Sequence, residues 1–191
     1  MNTEPFILEN ERAKLEVLTL ENHKVLQPVA SEKDIIPYSP SRLGSSADLE
    51  KYVKTALEDQ VKGISIPFII FDKMVQAYAG CTRFGHIDAR NRVLHIGWTW
   101  LGKDFRGTGL NSSVKLLMLA YAFEIMNFEK VEFRIDERNI RSRKAVEKLG
   151  ASLEGILRSD VIMRDGYRRN TCCYGILKSE WPQIKKTLLA L

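Results

Sequence analysis

The chain has 191 residues, 45% of them hydrophobic and 28% charged, with a formal net charge of +5. That length suits one domain with a substantial core, and that composition excludes disorder over most of it. The charges are mixed along the chain rather than massed in a tail, which argues against a nucleic-acid partner while leaving anionic ligands acceptable.

The opening MNTEPFILENERAKLEV carries acidic residues where a secretory leader needs a basic flank and a long apolar run. Arg12 to Thr19 alternates apolar and polar residues and predicts a first strand. Leu20 to Ala30 reads as a short helix, and Ile35 to Ser45, with two prolines and a glycine, as a loop. Ser45 and Ser46 are N-cap candidates for a helix from about Ala47 to Lys62, whose apolar positions recur at helical spacing. A strand-rich middle follows. Ile64 to Phe71 and Met74 to His86 read as strands joined at Asp72-Lys73, and Val93 to Leu101 as the third strand of a meander.

Leu110 to Phe128 reads as one long helix, apolar almost all round, of the kind usually buried against a sheet. Val131, Phe133 and Ile135 alternate with charged residues as another strand. Asn139 is a suitable N-cap for a short helix ending at Leu149, with Gly150 beyond it. Ser152 to Met163 and Thr171 to Leu177 are strand-like, and Ser179 to Leu191 is helical with Pro182 in its first turn. This order of elements predicts a mixed α/β (α+β) fold in a single domain over 1–191. Cys81, Cys172 and Cys173 make no disulfide framework, and their odd number points to a reducing, cytoplasmic compartment. Cys172 and Cys173 face opposite ways on a strand, so no metal site is expected. No stretch approaches the ~20 apolar residues of a membrane span.

The segment from His95 to Asn111 carries the chemistry. A strand ends, a loop holding Arg106-Gly107-Thr108-Gly109 follows, and a helix begins. Glycines there let the backbone approach a ligand, and the helix N-terminus adds a positive dipole end, which together suit a pyrophosphate. A Walker A loop is excluded, because no Gly-Lys-Ser/Thr follows at the required spacing. A dinucleotide fingerprint is disfavoured, because Ser112 stands where its third glycine belongs and a meander precedes it. The acyl-CoA loop pattern Arg/Gln-x-x-Gly-x-Gly/Ala remains. Arg106 to Leu110 meets it, with Asn111 where Gly or Ala is usual.

On this loop the chain resembles the GNAT superfamily, in particular its RimJ/RimL-type branch of ribosomal-protein N-terminal acetyltransferases. Similar to that branch are also Ile96-Gly97-Trp98-Thr99-Trp100-Leu101, the run Asp136-Glu137-Arg138-Asn139-Ile140-Arg141-Ser142-Arg143, Leu149-Gly150-Ala151, Asp165-Gly166-Tyr167 and Ser179-Glu180-Trp181-Pro182. The resemblance runs from about Arg12 to the C-terminus. It implies a mostly antiparallel, splayed central sheet flanked by helices, and an acetyl-CoA-dependent N-acetyltransferase. The acceptor it implies is a primary amine, on a protein N-terminus or a small molecule; a non-catalytic acyl-CoA binder or sensor is the alternative. It also allows a homodimer.

The roles follow from the same resemblance. Trp98, Thr99, Trp100 and Leu101 would bind the pantetheine arm through backbone groups. Arg106, Gly107, Thr108, Gly109, Leu110 and Asn111 would hold the pyrophosphate. Asn139 matches a position that contacts pantetheine or its surroundings, and serves equally as an N-cap. Ser142 matches a serine proposed to protonate the leaving thiolate, and Tyr167 is a second candidate acid. For the base, His95, Glu132 and Asp136 stay unranked: a histidine near neutral pKa relays a proton readily, and either carboxylate could do the same. Arg138, Arg141, Arg143 and Lys144 are candidates for CoA phosphates or a solvated helix face. Trp98 and Trp100 point the same way and either wall the acceptor groove or fill the core.

Overall fold

The computed structural model describes residues 6–189. Eight strands form one sheet: β1 (Ile7–Glu9), β2 (Ala13–Val17), β3 (Ile66–Asp72), β4 (Ala77–Asp88), β5 (Val93–Leu101), β6 (Lys130–Asp136), β7 (Ser152–Ile162) and β8 (Arg168–Leu177). Their spatial order is β1-β2-β3-β4-β5-β6-β8-β7, antiparallel throughout except for the parallel β5–β6 pair. Among the described residues five α-helices flank it: α1 (Gln27–Ala30), α2 (Ser46–Val61), α3 (Leu110–Ala120), α4 (Ile140–Lys148) and α5 (Trp181–Leu189). Among the described residues no helix is long and apolar enough to cross a membrane.

Strand alternation divides the core into two. On one face Phe84, Leu94 and Ile96 pack against Leu110, Val114 and Met118 of α3. On the other Ile69, Cys81 and Trp100 pack against Leu26, Leu49 and Val53 of the α1–α2 region. Helix α2 begins where the serines predicted: the Ser45 side chain accepts from the Asp48 N–H, and the Asp48 carboxylate reaches back to Ser45 in a capping box.

Several boundaries differ from the sequence reading, among them Leu20 to Ala30, which holds a 3-10 turn (His23–Leu26) and then the short α1 rather than one helix. The helix after the glycine loop is α-helical only to Ala120; Tyr121 to Ile125 forms a π turn, with Met126 N–H bonding the Tyr121 carbonyl at 2.9 Å. An apolar run cannot distinguish the two windings, because both bury it. Here the widened turn carries Glu124, whose carboxylate accepts from Trp181 Nε1 at 2.6 Å and Lys185 Nζ at 2.8 Å, docking α5. Met74 to Gln76 lies in the β3–β4 turn rather than in β4, because Asp72 Oδ1 accepts from Met74 N–H at 3.0 Å and Gln76 takes a φ of 53°. Strand β8 starts at Arg168, where pairing with β7 (Ile162↔Arg168) extends it through a polar stretch that alternation does not mark. Strand β1 was not predicted at all; its three residues are too short for a periodic signal.

Candidate active site

Strands β5 and β6 pair only at Val93↔Lys130, Leu94↔Val131 and His95↔Glu132. Beyond that point β5 stays with β4 as far as Gly80↔Leu101, while β6 stays with β8 as far as Asp136↔Thr171. The sheet therefore opens into a V, and the β5 edge from Gly97 onward faces the gap without its ladder partner on β6. Free backbone groups of that kind bind an extended ligand as a missing strand would.

A break in β5 shapes this edge. Trp98 adopts a φ of 50°, uncommon for a bulky residue, where the β4–β5 register shifts between Cys81 and Arg83. Three neighbours hold it there. Tyr52 donates its hydroxyl to the Trp98 carbonyl at 3.3 Å, the Arg83 guanidinium lies 4.7 Å from the indole centroid, and Gly85 leaves room for the ring. A β-carbon at Gly85 would stand 2.3 Å from that ring. Trp100 buries its side chain among the α1–α2 core and Leu101 among the α3 core, so neither side chain enters the gap.

His95 stands at the root of the V. Its Nε2 accepts the Arg134 N–H at 2.8 Å, a group that would otherwise seek a β5 carbonyl. Burial, reinforced by the charges of His86, Arg134, Lys115 and Arg169, holds the imidazole down to about 3, so it is neutral at physiological pH. With Nε2 accepting, the ring proton sits on Nδ1, a buried atom with no partner in the structure.

The glycine loop lies at the start of α3. Gly107 and Gly109 adopt φ of 77° and 88°, and a β-carbon at either would meet nothing within 4 Å. These residues are thus required by backbone conformation and by open space in front of them, not by packing. The first bond of the helix ladder runs from Ser113 N–H to the Gly109 carbonyl, so the N–H groups of Leu110, Asn111 and Ser112 precede it. Leu110 itself is fully buried in the core and anchors the turn. Thr108 is tied down, its hydroxyl donating to the Phe105 carbonyl at 2.9 Å while Arg12 donates to the Thr108 carbonyl at 3.1 Å. Arg12 is held in turn by Asp72 at 2.9 Å. Arg106 folds inward, with Nε donating to the Leu101 carbonyl at 2.7 Å, and so braces the loop against the end of β5. The Leu110 N–H reaches Thr108 Oγ1 at 3.5 Å; a cradle of N–H groups on positive-φ glycines at a helix N-terminus fits a pyrophosphate.

Helix α4 closes the opposite wall. Asn139 Oδ1 accepts from Ser142 N–H at 3.1 Å, so the N-cap role predicted for Asn139 is occupied. Burial, with the charge of Arg141 adding to it, depresses the Arg106 guanidinium. Tyr167 is exposed on the β7–β8 turn with the Arg138 guanidinium 4.0 Å from its ring. Both carboxylate candidates for a base are engaged. Glu132 pairs with Lys130 at 3.1 Å and Arg134 at 3.6 Å. Asp136 takes three bonds from Arg138, one from its backbone N–H at 2.9 Å and two from its guanidinium at 3.0 and 2.7 Å. Burial alone would raise the Asp136 carboxyl, but those bonds outweigh it and hold it below the usual range.

One residue escaped sequence reasoning. Lys115, the lone cation between Leu110 and Phe128, is 5% exposed, and its Nζ donates to Thr99 Oγ1 at 2.6 Å and Thr82 Oγ1 at 3.2 Å. It grips β5 from beneath, one residue past the strained Trp98. A lysine inside an otherwise apolar helix was the available signal, and it is usually explained by snorkelling.

Burial pushes Lys115 from its ordinary 10.5 down to about 7, the Cys81 thiol opposing weakly. Below pH 7 both folded and unfolded chains hold the proton and the full cost of the buried ammonium is present. Between 7 and 10.5 only the unfolded chain keeps it, so stability rises with pH. Lys115→Met should therefore be more stable than wild type at pH 6, by about 2 kcal/mol after the two lost hydrogen bonds are counted. That advantage should shrink by pH 9.5 in paired urea melts. A difference that ignores pH would refute a depressed lysine here.

Comparison with known proteins is consistent with this geometry. The acetyltransferase (GNAT) domain family matches residues 12–152. A Bacillus subtilis (strain 168) protein provisionally named ribosomal N-acetyltransferase YdaF is 27% identical, over 83% of this chain and 91% of its own. A solved structure provisionally described as an acetyltransferase from T. thermophilus superposes with a TM-score of 0.87 at 28% identity, covering 100% of this chain and 98% of that one. The fold is shared with a GCN5-related N-acetyltransferase from Brucella melitensis, at a TM-score of 0.90 and 24% identity over 100% of this chain and 86% of that one.

Proposed function

The chain belongs to the acetyltransferase (GNAT) family, and we propose that it transfers acetyl from acetyl-CoA to the N-terminal amine of a peptide, by direct attack in a ternary complex. Acetyl-CoA supplies the acetyl group as a thioester. The N–H groups of Gly107 to Asn111 would hold its pyrophosphate, Arg106 and Thr108 would brace that loop, and the β5 edge at Trp98 to Leu101 would align the pantetheine arm.

One observation carries the choice of acceptor: each candidate base already has a partner. His95 has committed its lone pair to Arg134, Glu132 is paired with Lys130 and Arg134, and Asp136 with Arg138. An enzyme so built acts best on an amine that is partly neutral beforehand. An α-amine, with a pKa of about 7.7–8.0, meets that condition, and a lysine side chain at about 10.4 does not. The cations that depress His95 would favour the neutral amine further. The ribosomal name of the Bacillus subtilis relative agrees with a protein acceptor.

In the proposed step the amine nitrogen forms the C–N bond as the C–S bond breaks. The nitrogen releases its proton to water and Ser142 supplies one to the sulfur, regaining it from water. His95 acts as a wedge that keeps the V open and presents Nδ1–H to a carbonyl of the acceptor. Trp98 and Thr99 position the thioester, and Tyr167 belongs to the acceptor's side of the cleft.

Calorimetric titration with acetyl-CoA, with NAD as control, should give binding to the first alone. Thiol release should then be at least tenfold faster with peptide N-termini than with lysine side chains or small alkylamines. Absence of acetyl-CoA binding would sink the assignment. Binding without thiol release on any acceptor would favour a non-catalytic acyl-CoA binder.

A further inference from the structure

A second cavity, of about 340 Å³, lies where the loop between α1 and α2 meets the β7–β8 turn, with three arginines and one aspartate among its lining residues. Its floor is apolar, from Pro37 and the buried Met163. Arg138 forms one wall. Its Nε and Nη2 are committed to Asp136, the last residue of β6, and its guanidinium lies 4.0 Å from the Tyr167 ring and 5.8 Å from that of Tyr38. Those contacts fix the guanidinium in orientation and leave Nη1 outside both bonds to Asp136. Arg42 and Arg164 are exposed at the rim. The single lining carboxylate, Asp165, already accepts the Tyr167 N–H at 3.0 Å.

The cavity lies near the end of β6, because its lining residue Arg138 follows Asp136 by two positions. Asp136 ends the very strand that diverges from β5, and Arg169 of β8 donates Nη1 to the Tyr38 carbonyl at 3.2 Å. A peptide whose amine reaches the V between β5 and β6 would therefore lay its next residues along this basic wall. Guanidinium groups held in a fixed orientation recognise carboxylates through paired N–H donors, which an ammonium cannot match. A polyamine or a lysine-rich tail would meet like charge instead.

Resting on the peptide-acceptor reading above, we infer that this cavity selects acceptors bearing an aspartate or glutamate within the first few residues after the reacting amine. Arg138 is the fixed recognition point, and Arg42 and Arg164 add charge that draws acidic chains to the mouth.

The test uses three synthetic peptides identical except at residues two to four, which are acidic, neutral or basic. Their binding to the CoA-loaded full chain is followed by calorimetry, and acetylation by thiol release. The acidic peptide should bind about tenfold more tightly than the neutral one and the basic peptide more weakly still, with the spread narrowing as salt is raised. The double variant Arg42→Glu, Arg164→Glu, both at exposed positions, should erase or reverse the order. Equal binding of all three, binding of none, or an order unchanged in the double variant would overturn the inference. Acidic selection in binding without thiol release would uphold it and remove the transferase reading instead, while acetylation of all three at equal rates and affinities would do the reverse.

Discussion

Replacing Gly109 with valine should weaken acetyl-CoA binding by two orders of magnitude or more while the protein stays folded. Gly109 sits at φ 88°, ψ −16° as the N-cap of α3, a left-handed conformation that a β-branched residue adopts only under strain. Relief of that strain would rotate the peptide planes on either side and turn the N–H groups of the loop away from a common point. The added carbons would also fill the space through which a phosphate must approach. Charge-assisted hydrogen bonds contribute roughly 1.5–3 kcal/mol each, so losing two of them lowers affinity by about 10²–10⁴. The fold should survive because the new β-carbon meets nothing within 4 Å. Calorimetry with acetyl-CoA decides the matter, with thermal unfolding run alongside. Affinity within threefold of wild type would mean that the loop is a plain strand-to-helix turn.

Gly80→Ala should produce a different result, a loss of stability. A β-carbon there would lie 1.9 Å from the Trp100 carbonyl oxygen and 2.9 Å from its carbon, at a φ of 153°. Both obstacles are backbone, so no side chain can swing aside. Strands β4 and β5 would have to part at Gly80↔Leu101 and Cys81↔Trp100, on the segment that sets the edge of the V. Overpacking and backbone strain each cost roughly 1–3 kcal/mol, which together amount to about 2–6 kcal/mol. In a chain of this size that is a fall in Tm on the order of 10 °C. Gly155→Ala is the matched control: its β-carbon meets nothing within 4 Å, and its effect should stay within about 0.5 kcal/mol. If both variants melt with wild type, the close approach of the two strands does not constrain Gly80.

The two glycines differ in how far the sequence announced them. Gly109 belongs to a spaced pair before an apolar helix, and that local pattern marked it as part of a loop whose backbone can approach a ligand. Gly80 stands in Ala79-Gly80-Cys81 with no turn residue nearby, and only the pairing with β5 explains it. The same contrast holds for caps and charges. Asn139 and Ser45 were readable as N-caps because a cap bonds to a backbone group three residues on. Lys115 was unreadable because its partners Thr82 and Thr99 come from two other elements.

By itself the sequence determined the order and type of most elements, the glycine loop at the start of a helix, and the family to which such a loop belongs. These rest on interactions between residues a few positions apart, and short-range periodicity and turn chemistry record such interactions directly. The tertiary structure alone decided where β5 and β6 part, that His95 spends its lone pair on Arg134, and that Arg138 is caged by Tyr38 and Tyr167. Each of those depends on groups brought together by strand pairing or by loops distant in sequence. A histidine's lone pair, a lysine's proton and an arginine's orientation are set by those neighbours, through burial and hydrogen bonding, and a single sequence does not state which neighbours they are.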